Sequence, residues 1–277
     1  MKIFQAQQTL EGAGFSVARP IPMPACESVG PFILLDHIGP LVAPAGQSVA
    51  APTHPHAGIE TISYFLDGEG FHQDSLGNKA TTGPGEVQWM RAGRGIVHDE
   101  APGKSLVEHG GRVHAVQLWL NMPGASKSAE PVYKSFRQAD IPKQVEESGL
   151  EISVIAGQYS GLIGPLTTFA EPLLMRVTLK ANASTCLELP DIEELGVFTL
   201  DGSVTINGNP VAANELAVMS ESERNLEITC TSDSEVLILG GPEIRDDLVR
   251  YGPFVANSAV EMQETIERYR QNLFGDL

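Results

Sequence analysis

Residues 53–64 read THPHAGIETISY, and residues 84–102 read PGEVQWMRAGRGIVHDEAP. The first stretch places two imidazoles at i and i+2, His54 and His56, and the second places an imidazole and a carboxylate at the same spacing, His98 and Glu100. Residues two apart on a β-strand point to the same face. The pairs would therefore converge if their strands faced each other inside a barrel, and the 41 residues between them are enough for three or four short strands.

Three neutral imidazoles and one carboxylate suit a divalent first-row transition metal. Such a site carries a net charge of about +1, and an octahedral ion would keep two positions open for water, substrate or O2. We expect iron, with manganese, nickel, cobalt, copper and zinc as alternatives, because geometry and availability select the metal as much as ligand type does. Single HxH pairs also occur by accident in surface loops, but two matched pairs on strand-like segments favour a metal site.

All seven histidines lie at or before His114, so the second half of the chain has none. Asp99 should point away from the ligand face of a regular strand. Glu60, four residues after His56, shares its face by parity and is a candidate for a supporting group. Arg94, flanked by two glycines, is interpreted as a turn residue, with a charge at the pocket mouth as the alternative. The histidines outside the two pairs are interpreted as packing or surface residues: His37, His72, His109 and His114.

Composition excludes several classes of protein. The chain has 277 residues, of which 42% are hydrophobic, and a net charge of −17 with 18 scattered Lys and Arg residues. Direct nucleic-acid binding is not expected, because it usually requires a concentrated basic surface. No apolar run approaches the roughly 20 residues of a membrane helix, and no signal peptide is evident. Three distant cysteines argue against a disulfide framework, so we expect a cytoplasmic protein.

Most of the chain is predicted to form short strands, because 28 glycines and 19 prolines punctuate it at a spacing typical of sandwiches and barrels. Alternating apolar residues indicate strands at Val116–Leu120, Leu173–Leu179 and Val204–Ile206, the last leading into an Asn-Gly hairpin turn. A terminal helix is predicted over 259–273, docked through Val260, Gln263, Ile266, Tyr269 and Leu273, with a partner-binding helix as the alternative.

A weak internal repeat indicates two similar β-units in tandem. Leu66-Asp67-Gly68 matches Leu200-Asp201-Gly202, and the segment 85–90 resembles the segment 214–219 further on. The order of the two elements is preserved, which is harder to attribute to chance than either match alone. The irregular stretch between the units is interpreted as an ordered crossing segment.

The two histidine motifs resemble those of pirins, a branch of the cupin superfamily, and similarity extends to QLWLN at 117–121 with Pro123 and to GPFV at 252–255 before a helix. The resemblance implies an all-β fold of two tandem cupin (double-stranded β-helix or jelly-roll) barrels facing each other, with a C-terminal helix. The expected domains are 1–125 with the metal, a crossing segment 126–165, and 166–277 without metal. The resemblance also implies that the metal ligands are His54, His56, His98 and Glu100.

The second barrel can be searched for equivalents of these ligands by counting from the internal repeat. The count reaches Glu188, Pro190, Glu227 and Thr229. No histidine appears there, so we expect the second barrel to be free of metal.

For function, the resemblance implies a quercetinase-type dioxygenase that opens a flavonol ring with O2 and releases CO. Glu100 would then be the catalytic general base for the flavonol 3-OH proton. The alternative is a non-catalytic metal-binding regulator whose partner is a transcription factor or a metabolic enzyme. A third hypothesis, a structural metal alone, predicts a closed coordination sphere.

Overall fold

Short β-strands make up most of the chain in the computed structural model, which describes residues 1–12, 14–46, 51–220 and 223–277. The first strands are β1 (Lys2–Gln5), β2 (Gln7–Glu11), β3 (Phe15–Ile21), β4 (Phe32–Ala43), β5 (Ala51–His56), β6 (Ile59–Asp67), β7 (Gly70–Asp74), β8 (Lys79–Thr82), β9 (Val87–Arg91), β10 (Ile96–Pro102), β11 (Gly111–Asn121), β12 (Val132–Phe136) and β13 (Lys143–Val145). The remaining strands are β14 (Leu150–Ala156), β15 (Gln158–Tyr159), β16 (Leu162–Ile163), β17 (Leu173–Leu179), β18 (Ser184–Glu188), β19 (Glu194–Asp201), β20 (Ser203–Ile206), β21 (Asn209–Ala212), β22 (Glu215–Val218), β23 (Asn225–Cys230), β24 (Ser234–Gly241), β25 (Val249–Tyr251) and β26 (Phe254–Ala256).

Helices are few and short in the described ranges. They are α1 (Lys104–His109), α2 (Ala259–Arg270) and the 3-10 turns Gly124–Ser126 and Gln138–Asp140. None of these helices has the length and apolar character needed to cross a membrane.

The chain divides into two compact units. The histidine unit comprises Gln8–Val17, Leu35–Gln138 and Ile244–Leu277, and it holds all seven histidines. The histidine-free unit comprises Met1–Gln7, Ala18–Leu34 and Ala139–Glu243. The expected all-β class is confirmed, whereas the domain boundaries at 125 and 165 stay a prediction.

Each unit is built around one seven-stranded and one four-stranded antiparallel sheet. In the histidine unit the strand orders are β12-β9-β6-β11-β4-β3-β2 and β5-β10-β7-β8. In the histidine-free unit they are β1-β22-β19-β24-β17-β14-β13 and β18-β23-β20-β21. The internal repeat follows this correspondence, because β6 pairs with β9 as β19 pairs with β22. Its two LDG segments both end in a turn with a glycine at positive φ, Gly68 and Gly202.

The predicted alternation of buried apolar residues is confirmed in β11 and β17. Val116, Leu118 and Leu120 of β11 are buried. In β17 the four alternating apolar residues are buried as well, and they belong to the hydrophobic core of the histidine-free unit. The Asn207-Gly208 turn joins β20 to β21 with positive φ at both residues, as a type I′ hairpin requires.

The C-terminal helix exists, and its predicted apolar face is confirmed at Ile266 and Tyr269 but wrong at Val260 and Leu273. Met262 is buried and Ile266 packs partly against the core, whereas Val260 and Leu273 are 69% and 59% exposed. The helix ends at Arg270, and Asn272 has a φ of +60°, so Leu273 leaves the helical register. Phe274 is buried in its place. The partner-binding alternative for this helix stays a hypothesis.

Candidate metal centre

Two adjacent strands of the four-stranded sheet bring three of the four predicted ligands together. Strand β10 pairs antiparallel with β5, so that His98 lies opposite His54 and Ile96 lies opposite His56. Residues two apart on β5 share one face, and the cross-strand partner of His54 joins them there. Three imidazoles therefore meet on one side of this sheet.

The imidazoles approach each other through the same ring atom. The Nε2 atom of His54 lies 3.1 Å from Nε2 of His56 and 2.9 Å from Nε2 of His98. The ring centroids of the three histidines are 4.3 to 5.0 Å apart. His56 and His98 are buried, and His54 is half-buried.

Backbone carbonyls fix the tautomer of two of these rings. The Nδ1 atom of His54 lies 2.7 Å from the carbonyl oxygen of Pro52, and Nδ1 of His56 lies 3.2 Å from that of Pro253. Because a carbonyl can only accept a hydrogen bond, Nδ1 carries the proton in both rings. Their Nε2 lone pairs consequently point into the cluster, as metal-binding imidazoles require.

Electrostatics favour the neutral form of the two buried rings. Burial holds the pKa of His56 well below its usual value, and the neighbouring His98 and His54 lower it further. Burial also lowers the pKa of His98, with His54 and His72 acting in the same direction. Neutral imidazole is the protonation state that binds a metal.

The three imidazoles fit a transition-metal ion. Lone pairs that face each other at about 3 Å repel unless a proton or a cation lies between them. Two nitrogen ligands at right angles on an ion with bonds of about 2.1 Å lie about 3 Å apart, which matches the observed spacing. His98 Nδ1, in addition, is a buried polar atom without a hydrogen-bond partner in the described part of the chain.

Glu100 lies in a second, overlapping group. Its carboxylate falls within 4.8 Å of ligand atoms of His98 and His72, and this group shares only His98 with the three-histidine group. Strand β10 shifts its register against β5 between His98 and Glu100. The shift places Glu100 opposite Ala51 and so displaces it relative to the imidazoles of β5. The carboxylate accepts hydrogen bonds from Ser63 Oγ at 3.3 Å and from Gln117 Nε2 at 2.9 Å.

His72 lies in this second group, whereas the sequence predicts only a packing or surface role for it. It lies opposite Glu100 on β7 and its Nε2 is 3.0 Å from the Asp74 carboxylate. Its ring stacks on Tyr133 with centroids 4.0 Å apart and planes within 8°. The sequence did contain a signal, since His72-Gln73-Asp74 repeats the i, i+2 spacing of the two ligand motifs.

Side chains of the seven-stranded sheet form the wall opposite the ligand strands. Gln117 and Trp119 lie two apart on β11, and their cross-strand partners on β6 are Ser63 and Thr61. The Trp119 ring packs edge-on against His56 with centroids 4.8 Å apart. None of these wall residues belongs to a ligand pair, and periodicity alone could not have assigned them to the site.

Three neighbours of the motifs are also placed. Asp99 points away from the ligand face, as predicted, and accepts a hydrogen bond from Gln73, its partner on β7. Glu60 is buried and accepts a hydrogen bond from Trp89. Ser63 faces Glu100, so the alternation of side chains along β6 puts Glu60 on the opposite side of its sheet. The expectation that Glu60 shares a face with His56 is therefore wrong, because the turn at Gly58 interrupts the alternation between the two residues. Arg94 lies in the expected turn.

The other three histidines lie elsewhere. His37 and His114 form a buried pair with Nε2 atoms 2.8 Å apart. His109 ends helix α1 and is exposed. These placements agree with packing and surface roles.

The corresponding strands of the histidine-free unit present no histidine and mostly apolar residues. Ile228 on β23 pairs with Thr185 and with Ile206, the last residue of β20. His98 pairs in the same way with His54 and with Asp74, the last residue of β7. By this strand correspondence the equivalents of the four predicted ligands are Thr185, Leu187, Ile228 and Cys230, and not the positions reached by counting along the sequence. The last three belong to the hydrophobic core. That this unit binds no metal stays a prediction.

The sequence is similar to those of known proteins over most of its length. The sequence profile described as Pirin matches residues 14–120, and that described as Pirin C-terminal cupin domain matches residues 174–275. A Pseudomonas aeruginosa protein named "Putative quercetin 2,3-dioxygenase" is 34% identical, over 90% of this chain and 87% of its own. "Pirin-like protein 2" of Arabidopsis thaliana is 34% identical, over 97% of this chain and 82% of its own.

A solved structure shows the same fold. The crystal structure of quercetin 2,3-dioxygenase from Acinetobacter baumannii superposes with a TM-score of 0.93 and 31% sequence identity, and the match covers 100% of this chain and 98% of that one. The expected pair of cupin domains with a short C-terminal helix is thereby confirmed.

Proposed function

The chain belongs to the pirin family, and from this premise we propose that it is a metal-dependent dioxygenase that opens the ring of a flavonol such as quercetin with O2. The observation that carries the proposal is the set of three Nε2 atoms, with neighbouring distances of 2.9 and 3.1 Å, in the interior of the histidine unit. Relatives at 31–34% identity that are named for quercetin 2,3-dioxygenase support the substrate class.

His54, His56, His98 and Glu100 would hold the ion, and iron is the metal that we propose. When bound, it would supply Lewis-acid and redox chemistry toward the flavonol oxygens and O2. The three imidazoles are suited to fixed support, because Pro52 and Pro253 hold two of them by their Nδ1 protons. Glu100 is the carboxylate of the proposed ligand set, and Asp74, which is hydrogen-bonded to His72, is a second carboxylate close enough to help balance the charge of the ion.

Glu100 would accept the proton of the flavonol 3-OH on a carboxylate oxygen. Each oxygen of an ionised carboxylate has two acceptor sites, and one on each oxygen is taken here by Ser63 or Gln117. A second site on each oxygen therefore stays available for a proton or for the metal. A positioned base of this kind contributes about 10²- to 10⁴-fold to a proton transfer.

The pocket walls suit a planar aromatic ligand. Trp119 and the stacked pair of Tyr133 and His72 provide aromatic faces beside the ligand histidines.

The test is reconstitution of the metal-free protein with Fe(II), Mn(II), Ni(II), Co(II) or Cu(II), followed by quercetin loss and CO release under O2. We expect turnover in wild type and in H109A, an exposed-histidine control, and loss of metal and turnover in H98A. E100Q, compared at equal metal occupancy, should lose about 10²-fold or more in kcat. No turnover with any metal at full occupancy would refute the dioxygenase proposal and favour the regulatory alternative.

A further inference from the structure

The Glu100 carboxylate rests in a two-point cradle formed by Ser63 and Gln117. These residues are direct cross-strand partners on β6 and β11, so their side chains lie next to each other on one face. Each donates to a different carboxylate oxygen, Ser63 to Oε1 and Gln117 to Oε2. The sheet opposite the ligand strands thus supplies one neutral donor for each oxygen of the acidic group.

The two contacts differ in strength. The Gln117 bond, at 2.9 Å, has the ideal length for N–H···O and goes to a charged acceptor, which makes it one of the stronger kinds of hydrogen bond. The Ser63 bond, at 3.3 Å, is longer than a normal O–H···O bond and correspondingly weaker. Gln117 is therefore the main contact, and Ser63 assists it.

Glu100 needs such a holder more than the imidazoles do. A glutamate side chain is among those with the largest rotamer entropy to lose on ordering. The register shift between His98 and Glu100 means that pairing with β5 does not align this residue with His54 and His56. The cradle fixes the carboxylate from the opposite sheet instead.

We propose that Gln117, assisted by Ser63, is a positioning residue that sets how Glu100 is presented to the metal. This inference rests on the metal role of Glu100 proposed above. Outer-shell partners that hydrogen-bond to a ligating carboxylate orient it, and their loss typically costs 10- to 100-fold in metal affinity. Neither residue carries a charge, so the effect acts through orientation of the carboxylate and leaves the net charge of the site unchanged.

Gln88 provides a matched control. It is a buried glutamine, whereas Gln117 is half-buried, and it pairs with Ser63 from the other side, on β9. Its Nε2 atom donates to Thr82 Oγ1 at 2.8 Å. The same substitution at Gln88 thus removes an amide from the same sheet face and leaves the Gln117–Glu100 bond in place.

The experiment is a double-mutant cycle read out as cobalt affinity, measured by chelator competition on metal-free protein with no substrate present. The variants are Q117L, E100Q, their combination, and Q88L. We expect Q117L to weaken Co(II) binding by about 10- to 100-fold in the wild-type background. In the E100Q background the same substitution should change the affinity by less than about threefold, because the oriented carboxylate is already absent. Q88L should bind Co(II) like wild type.

Two results would overturn the inference: unchanged Co(II) affinity in Q117L, or an equal loss with and without the Glu100 carboxylate. If Q117L fails to fold, as judged by circular dichroism, Q117M provides the same cycle with the same expected loss of about 10- to 100-fold, because a thioether has no N–H to donate. Because no substrate is used, this experiment tests the positioning role independently of the dioxygenase proposal. If the affinities follow this cycle but the protein never consumes quercetin, the positioning role stands and only the dioxygenase proposal fails.

Discussion

His54 and His98 face each other across strands β5 and β10 with their Nε2 atoms 2.9 Å apart. The pairing is antiparallel and direct, so the distance follows from the register of two strands rather than from a flexible loop. A site positioned by paired strands is held more firmly than one carried on loops. The protein therefore concentrates three imidazole nitrogens at a site that is fixed by paired strands.

The metal-free protein should lose stability as the pH falls. The pKa values of His56 and His98 are lowered in the folded state, chiefly by burial, so below about pH 6.5 the unfolded chain binds protons that the folded chain does not. The free energy of unfolding should then decrease with falling pH by about 1.4 kcal/mol per unit for each such group. Urea titrations between pH 5 and 7.5 measure this slope.

Substitution of one histidine measures its contribution to the pH dependence of the free energy of unfolding. H98Q removes one of the two groups with a lowered pKa, so it should reduce the slope by the amount that corresponds to about one bound proton. H109Q, at an exposed position, should leave the slope unchanged. Identical slopes in wild type and H98Q would contradict the assignment.

Lys127 should contribute strongly to stability, because its ammonium connects three oxygen atoms around the turn after His56. Nζ donates to the carbonyl oxygens of Gly58 and Met122 and to Oδ1 of Asn121 at 2.5 to 3.1 Å. Burial lowers its pKa to about 8, so the charge is retained at pH 7. We expect K127M to lower the free energy of unfolding by about 2–3 kcal/mol, since Asn121 Oδ1 and the Met122 carbonyl oxygen lose this donor and the Gly58 carbonyl oxygen keeps only the Met122 N–H.

An exposed lysine provides the comparison for this substitution. Lys104 is 88% exposed at its side chain and lies 3.6 Å from Glu108. K104M should change stability by less than about 0.5 kcal/mol. Equal effects of the two substitutions in urea titrations at pH 7 would contradict the role assigned to Lys127.

Gly58 should tolerate no side chain. Its φ is +77°, and a Cβ atom there would lie within 1.9 Å of the carbonyl oxygen of Val255. Gly77 has a similar φ of +87° but open space around it. G77A should therefore cost only the conformational penalty of about 1 kcal/mol, and G58A should cost roughly 3–4 kcal/mol because backbone must also move. Thermal unfolding of both variants measures the difference, and similar melting temperatures would show that the backbone relaxes without cost.

The sequence predicted the core of the candidate site because its signal was local. Two i, i+2 pairs on strand-like segments needed only the alternation of a β-strand to place His54 and His56 on one face. The ligand role of these residues and of Glu100 stays a prediction. The wall of the pocket could not be predicted in this way, since Ser63 and Gln117 reach Glu100 only through the pairing of distant strands.

Two of the errors in sequence interpretation have the same origin. Glu60 was assigned by counting through Gly58, and a turn at positive φ breaks the parity on which that count depends. Leu273 was assigned by extending a helical period beyond the end of the helix at Arg270. In both cases a periodic pattern was continued past a residue at which the backbone leaves the regular conformation.

Phe274, and not Leu273, should anchor the C-terminal segment. Phe274 is 3% exposed, and its ring meets Phe254 edge-to-face with centroids 5.9 Å apart. It also lies against Gly95, where a Cβ atom would come within 2.2 Å of the ring. We expect F274A to lower the free energy of unfolding by about 3–4 kcal/mol and L273A, at a site that is 59% exposed, by less than about 0.5 kcal/mol. Since Gly95 precedes β10, which carries His98, F274A should also weaken Co(II) binding, whereas L273A should not. A metal affinity unchanged in F274A would show that β10 holds its position without this contact.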